Sequence, residues 1–114
     1  MAFNATLEVT DRKIARITLS GELDASAAPG FRAEIEKSAA QQAKRLVLMM
    51  RNLEYIASAG LRVLVFAKQK MGAACDIYVV APQEQVVESL ELTGLRHSLV
   101  IMREYDAAEI ENLA

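Results

Sequence analysis

The stretch Tyr55-Ile-Ala-Ser-Ala-Gly-Leu61 holds one aliphatic hydroxyl, that of Ser58, between two alanines and ahead of a glycine. A serine so placed has three uses: as a nucleophile, as a helix cap, or as the acceptor of a group delivered by another enzyme. A hydrolase nucleophile sits on a similar strand-to-helix turn, but that turn requires the pattern G-x-S-x-G. Here Ile56 stands where the first glycine belongs. A catalytic triad would also have to recruit His97, the sole histidine, with Asp24 or Asp76 to orient it. The five glycines form neither G-x-G-x-x-G nor a phosphate loop, and one His with one Cys (Cys75) does not make a metal site of the usual kind. No catalysis, metal or cofactor is expected from these residues, and His97 reads as a surface residue before the last strand.

The capping use is structural. If the helix begins at Ala59, Ser58 is its N-cap, accepting a hydrogen bond from the N–H of Gly60 or Leu61. That explains the serine but not its neighbours, because Ala57, Ala59 and Gly60 leave the hydroxyl unshielded and let another backbone come close. The acceptor use explains both. A phosphate at a helix start meets backbone N–H groups and the positive end of the helix dipole, so the domain need not unfold to carry it. The modification would add about −1.5 to −2 charges to a patch of alanine and glycine. If a docked partner loses on the order of 3 kcal/mol, affinity falls more than about a hundredfold, enough for a switch.

The elements that must position Ser58 follow from periodicity. Phe3, Ala5, Leu7 and Val9 alternate with polar or small residues, Thr10 to Lys13 supplies a turn, and Ala15, Ile17 and Leu19 alternate again, which reads as a β-hairpin. After Gly21-Glu22-Leu23-Asp24, Ala28, Phe31, Ile35 and Ala39 recur at helical spacing; Ser26 is placed to cap that helix and Pro29 to occupy its first turn. Leu46 to Met50 is continuously apolar, as a strand covered on both faces should be, and Arg51 to Ala57 reads as a loop. A helix from about Ala59 to Met71 follows, closed by Gly72. Placed at 100° intervals, Leu61, Val63, Leu64, Val65, Ala67 and Met71 form its core face, while Phe66 falls among Arg62, Gln69 and Lys70. Phe66 either packs under a neighbouring helix or stands as an exposed anchor beside Ser58. A strand over Asp76 to Ala81, a helix over Glu84 to Leu92 stopped by Gly94, a strand over Leu99 to Met102 and a short terminal helix complete the chain. That last helix is capped by Asp106 with Glu109 and carries Ile110 and Leu113. Alternation of strands and helices past the hairpin predicts a mixed α/β sheet with about four helices packed on it.

With 114 residues, 53% of them hydrophobic, the chain suits one domain, 1–114, with a core of its own. A net charge of −2 with scattered Lys and Arg excludes the footprint of a nucleic-acid binder. The unpaired Cys75, the lack of a leader segment and apolar runs far too short for a bilayer favour a cytoplasmic protein without a membrane span.

Three segments, "GELDASAAPGF" at 21–31, "LEYIASAGLRVLV" at 53–65 and "APQEQVVESLELTGL" at 81–95, together resemble the STAS-domain anti-sigma factor antagonists of bacterial partner switching. The resemblance implies a single STAS domain that is phosphorylated on a serine by an anti-sigma factor, itself an ATP-dependent serine kinase. The unmodified antagonist binds that kinase and frees its target, and a metal-dependent serine phosphatase resets the switch. Ser58 matches the phosphoacceptor and Asp24 an acidic residue near it that helps engage the kinase. The expected docking patch comprises Asp24, Ala57, Ala59, Gly60, Leu61, Arg62 and Phe66, on a protein that is a monomer when free. The family motif usually reads Asp-Ser-Ser-Gly; here it is Ala57-Ser58-Ala59-Gly60, which leaves Ser58 as the one hydroxyl in the motif. The resemblance also admits a STAS subunit regulating another complex, such as a lipid-transport ATPase. The serine-hydrolase reading is a third class and predicts that Ser58 reacts with serine-directed phosphonates.

Overall fold

Alternating apolar and polar residues fold the first two strands, β1 (Asn4–Val9) and β2 (Ile14–Leu23), into an antiparallel hairpin. Its turn is held by the Thr10 hydroxyl, which accepts from the N–H groups of Arg12 and Ile14, both at 3.3 Å. The computed structural model describes residues 2–112. Beyond the hairpin the chain runs α1 (Ala28–Ala40), β3 (Arg45–Ile56), α2 (Ser58–Met71), β4 (Asp76–Val80), α3 (Glu84–Leu92), a 3₁₀ turn (Leu95–Ser98), β5 (Val100–Met102) and α4 (Ala107–Ile110). The strands form one five-stranded sheet in the order β1-β2-β3-β4-β5, with only the first pair antiparallel. This is the mixed α/β architecture expected from the pattern, with β3 at its centre.

The two faces are covered unequally. Ala15, Ile17, Leu19, Leu46, Leu48 and Val79 meet Phe31 and Ile35 of α1, Leu64 and Ala67 of α2, and Val86 and Leu90 of α3 in the main core. Fully burying a side chain of the Leu, Ile or Phe type contributes about 1.5–3 kcal/mol, so this layer supplies most of the stability. The opposite face carries a smaller cluster, Ile14, Val47, Tyr78 and Val80, closed by Ile110 of α4. That short helix is held by the Asp106 carboxylate accepting from the Glu109 N–H at 3.2 Å and by the Tyr105 hydroxyl donating to Glu111 at 2.7 Å. Burial, reinforced by Glu111, pushes the Tyr105 hydroxyl up to about 12.

The structure departs from the sequence expectations in four places. The segment expected as a loop from Arg51 is strand: β3 continues to Ile56, and Asn52, Leu53, Tyr55 and Ile56 pair with Ser20, Gly21, Glu22 and Leu23 of β2. Ser26 does not cap α1; the turn before it is held by Asp24. Val65 lies on the solvent side of α2, 43% exposed, rather than in the core. Ser58 is the first residue of α2, and Ala57 is its N-cap. Leu113, assigned to the last helix, lies outside the described residues.

Candidate functional site

The site is made by two neighbouring strand ends. Parallel pairing of β2 and β3 runs to Leu23 opposite Ile56, and the Ala57 N–H then donates to the Leu23 carbonyl at 2.9 Å. Asp24 and Ser58 therefore leave the same edge of the sheet on adjacent strands, each at the start of the crossover that follows. Past Met49, which pairs with Val80, β4 offers β3 no further partner. The free side of the β3 extension is braced instead by two glutamines at the start of α3: Gln83 Nε2 donates to the Arg51 carbonyl at 2.9 Å and Gln85 Nε2 to the Glu54 carbonyl at 2.8 Å. These contacts fix the stalk from which Ser58 projects.

At the first strand end the polar side chain holds the turn, through one carboxylate oxygen. The Asp24 carboxylate accepts from the Ser26 hydroxyl at 2.8 Å and from the Ala27 N–H at 3.0 Å, while its backbone carbonyl accepts from Ala27 and Ala28. The Ser26 hydroxyl, then the Ala27 N–H, holds the Asp24 carboxyl below the ordinary carboxylate range, so Asp24 is anionic at neutral pH.

At the second, the polar side chain is not used. Ser58 is exposed, no side chain caps α2, and its hydroxyl has no hydrogen-bond partner among the described residues. The first turn closes through the backbone alone, with the Leu61 N–H donating to the Ala57 carbonyl at 3.0 Å. Gly60 is buried because the turn sits directly on Leu23: a Cβ there would lie 2.7 Å from Leu23 Cγ and 3.0 Å from Ile56 Cγ1. Glycine is thus required by close approach, and it draws the start of α2 onto the strand that ends in Asp24.

Spacing of four, three and four places Ser58, Arg62, Val65 and Gln69 on one exposed stripe of α2. Arg32 of α1 lies over the Phe66 ring, 4.0 Å from its centre, so Phe66 packs against the neighbouring helix rather than standing free. Ala59, Arg62 and Phe66 line a shallow groove of about 360 Å³ between α1 and α2, floored by Ala28 and Val63. Asp24 faces a separate groove with Phe3, Glu22 and Gly30. Leu61 is half-buried against the core, and Ala57 contributes its backbone. Ser58 makes no hydrogen bond to His97, which is exposed on the 3₁₀ turn, and Asp24 is engaged by Ser26, so no triad is assembled. Tyr55, 50% exposed on the β3 extension three residues ahead of Ser58, was not singled out in the sequence. Recognising that its segment is a strand paired on one side would have exposed it.

The chain belongs to the STAS domain family, whose model matches residues 5–108. Its fold is similar to that of an anti-sigma factor antagonist from Mycobacterium paratuberculosis, with 26% identity and a TM-score of 0.84, covering 95% of this chain and 92% of that one. It is also similar to the anti-sigma factor antagonist SpoIIAA in its unphosphorylated form, at 23% identity and a TM-score of 0.76 over 93% and 91% of the two chains. The Bacillus SpoIIAA in the phosphorylated form matches at 22% identity and a TM-score of 0.69 over 93% and 95%. No curated protein matches the chain. Among the described residues, no helix is long and apolar enough to cross a membrane.

Proposed function

We propose that this protein is an anti-sigma factor antagonist of a partner-switching system, without catalytic activity of its own. Its unphosphorylated form binds an anti-sigma factor that is also a serine kinase, and phosphorylation of Ser58 by that kinase ends the interaction. A metal-dependent serine phosphatase restores the binding form, and the free protein is a cytoplasmic monomer. The observation that supports this reading is the exposed Ser58 hydroxyl, which no group in the described chain engages. A hydroxyl spent on capping would resist modification, whereas this one projects from a braced strand end. The anionic Asp24, Arg62 beside Ser58, and the groove edged by Ala59 and Phe66 supply a mixed polar and apolar surface around it, with Ala57, Gly60 and Leu61 setting the backbone beneath. The likeness to an anti-sigma factor antagonist supports the assignment, as does the similarity of fold to SpoIIAA, a protein known in an unphosphorylated and a phosphorylated form.

The test is incubation with ATP and the cognate kinase followed by mass spectrometry. One phosphate on Ser58, absent in Ser58→Ala, is expected; incorporation that persists in Ser58→Ala would move the acceptor elsewhere.

A further inference from the structure

The carboxyl ends of β4 and β5 form a third groove, of about 620 Å³, that the Ser58 switch does not use. Arg51 enters it from β3, Arg96 from the 3₁₀ turn and Arg103 from the residue after β5, while Val87, Ile101 and Met102 provide apolar walls. No carboxylate lines it among the described residues, although the chain as a whole has 15 acidic residues against 13 basic ones. Arg96 has one acidic neighbour, Glu91 at 3.5 Å, in a half-exposed pair that solvent weakens. Arg51 and Arg103 have no side-chain partner among the described residues. Three guanidinium groups from separate elements repel one another, so a groove that gathers them is completed electrostatically by an anion.

The geometry points to a binding site for a small phosphorylated molecule, with the phosphate on the arginines and an apolar or planar body against Val87, Ile101 and Met102. Guanidinium forks match phosphate oxygens in pairs, which makes arginine the residue suited to this task. The volume falls within the range of small-molecule sites. The chain turns sharply at the rim through Ala81, whose φ of 55° is left-handed and whose N–H donates to the Met102 carbonyl at 2.8 Å. That bond pins the ends of β4 and β5 together, so the backbone at the groove is fixed before a ligand arrives.

The experiment is an amide NMR titration with two probes, inorganic phosphate and phenyl phosphate, which share the anion and differ in the apolar body. Saturable shifts confined to the surroundings of Arg51, Val87 and residues 101–103 are expected, with phenyl phosphate binding at least about tenfold more tightly because its ring is buried. Arg51→Gln with Arg103→Gln should abolish the shifts while preserving the dispersion of the spectrum; Arg12→Gln, a change of the same kind on the hairpin turn, should retain them. Shifts scattered over surface cations, or undiminished in the double variant, would overturn the proposal, as would equal affinity for the two probes. Tighter binding of a short glutamate-rich peptide than of phenyl phosphate at the same residues would assign the groove to a protein partner and overturn it too.

Discussion

The two junctions at the edge of this sheet are built alike and spend their polar side chains differently. At the β2–α1 junction the Asp24 carboxylate holds the turn through Ser26 and Ala27; at the β3–α2 junction the backbone of Ala57 does that work and the Ser58 hydroxyl is spare. The cause is the route of the chain. Between β2 and α1 a full turn, 25–27, must be stabilised before the helix starts, whereas β3 passes into α2 through Ala57 alone. The contrast separates a serine that folding does not use from an aspartate that it does.

The contrast can be pressed at several points. The largest stability change is expected at Gly60, where the second junction depends on close packing rather than on polar contacts. Gly60→Ala gains roughly 0.5–1 kcal/mol from helix propensity but forces a methyl against Leu23, and such overpacking costs about 1–3 kcal/mol. A net loss of up to about 2.5 kcal/mol in urea unfolding is expected; a gain would mean that the helix start does not sit tightly on β2.

Next in size is Asp24→Ala, which removes the carboxylate from both of its donors and should lower Tm clearly. Ser58→Ala, its counterpart at the other junction, should leave Tm unchanged. Equal losses in the two variants would erase the distinction between the junctions.

The smallest effect concerns titration. Ser26→Ala removes the leading cause of the lowered Asp24 pKa and should raise it toward the ordinary value, as read by carboxyl NMR. Because the folded-state pKa lies below the unfolded one, the contribution of Asp24 to stability is present above the unfolded value, about 4, and is lost as pH falls through the folded value. The variant should therefore show a weaker acid dependence in that window; an unshifted Asp24 would show that the Ala27 N–H alone sets its pKa.

The order of strands and helices was legible because apolar periodicity reports which face is covered, and α3 lies where Val86, Val87 and Leu90 place it. The β3 extension was not legible, since Arg51, Glu54 and Tyr55 are exposed and the local pattern of a strand paired on one side resembles a loop. Position along the chain also failed to show that Arg32 covers Phe66, a contact between helices separated by all of β3. The same limit applies to Val65: helical angles give a face but not the width of the layer beneath it. Ser58, Asp24 and Gly60 were found from residue type and motif, but the reason for Gly60, its approach to Leu23, needed coordinates. The arginine groove left no trace in sequence, because residues 51, 96 and 103 converge only after the sheet forms.

The most direct test is the affinity of Ser58→Asp for the proposed partner kinase, measured by calorimetry beside the wild type on samples of matched Tm. A loss of more than about a hundredfold with the fold intact is the expected result, because the added charge acts on docking and not on folding. Undiminished binding at equal stability would contradict the claim that charge at this exposed position controls the partner.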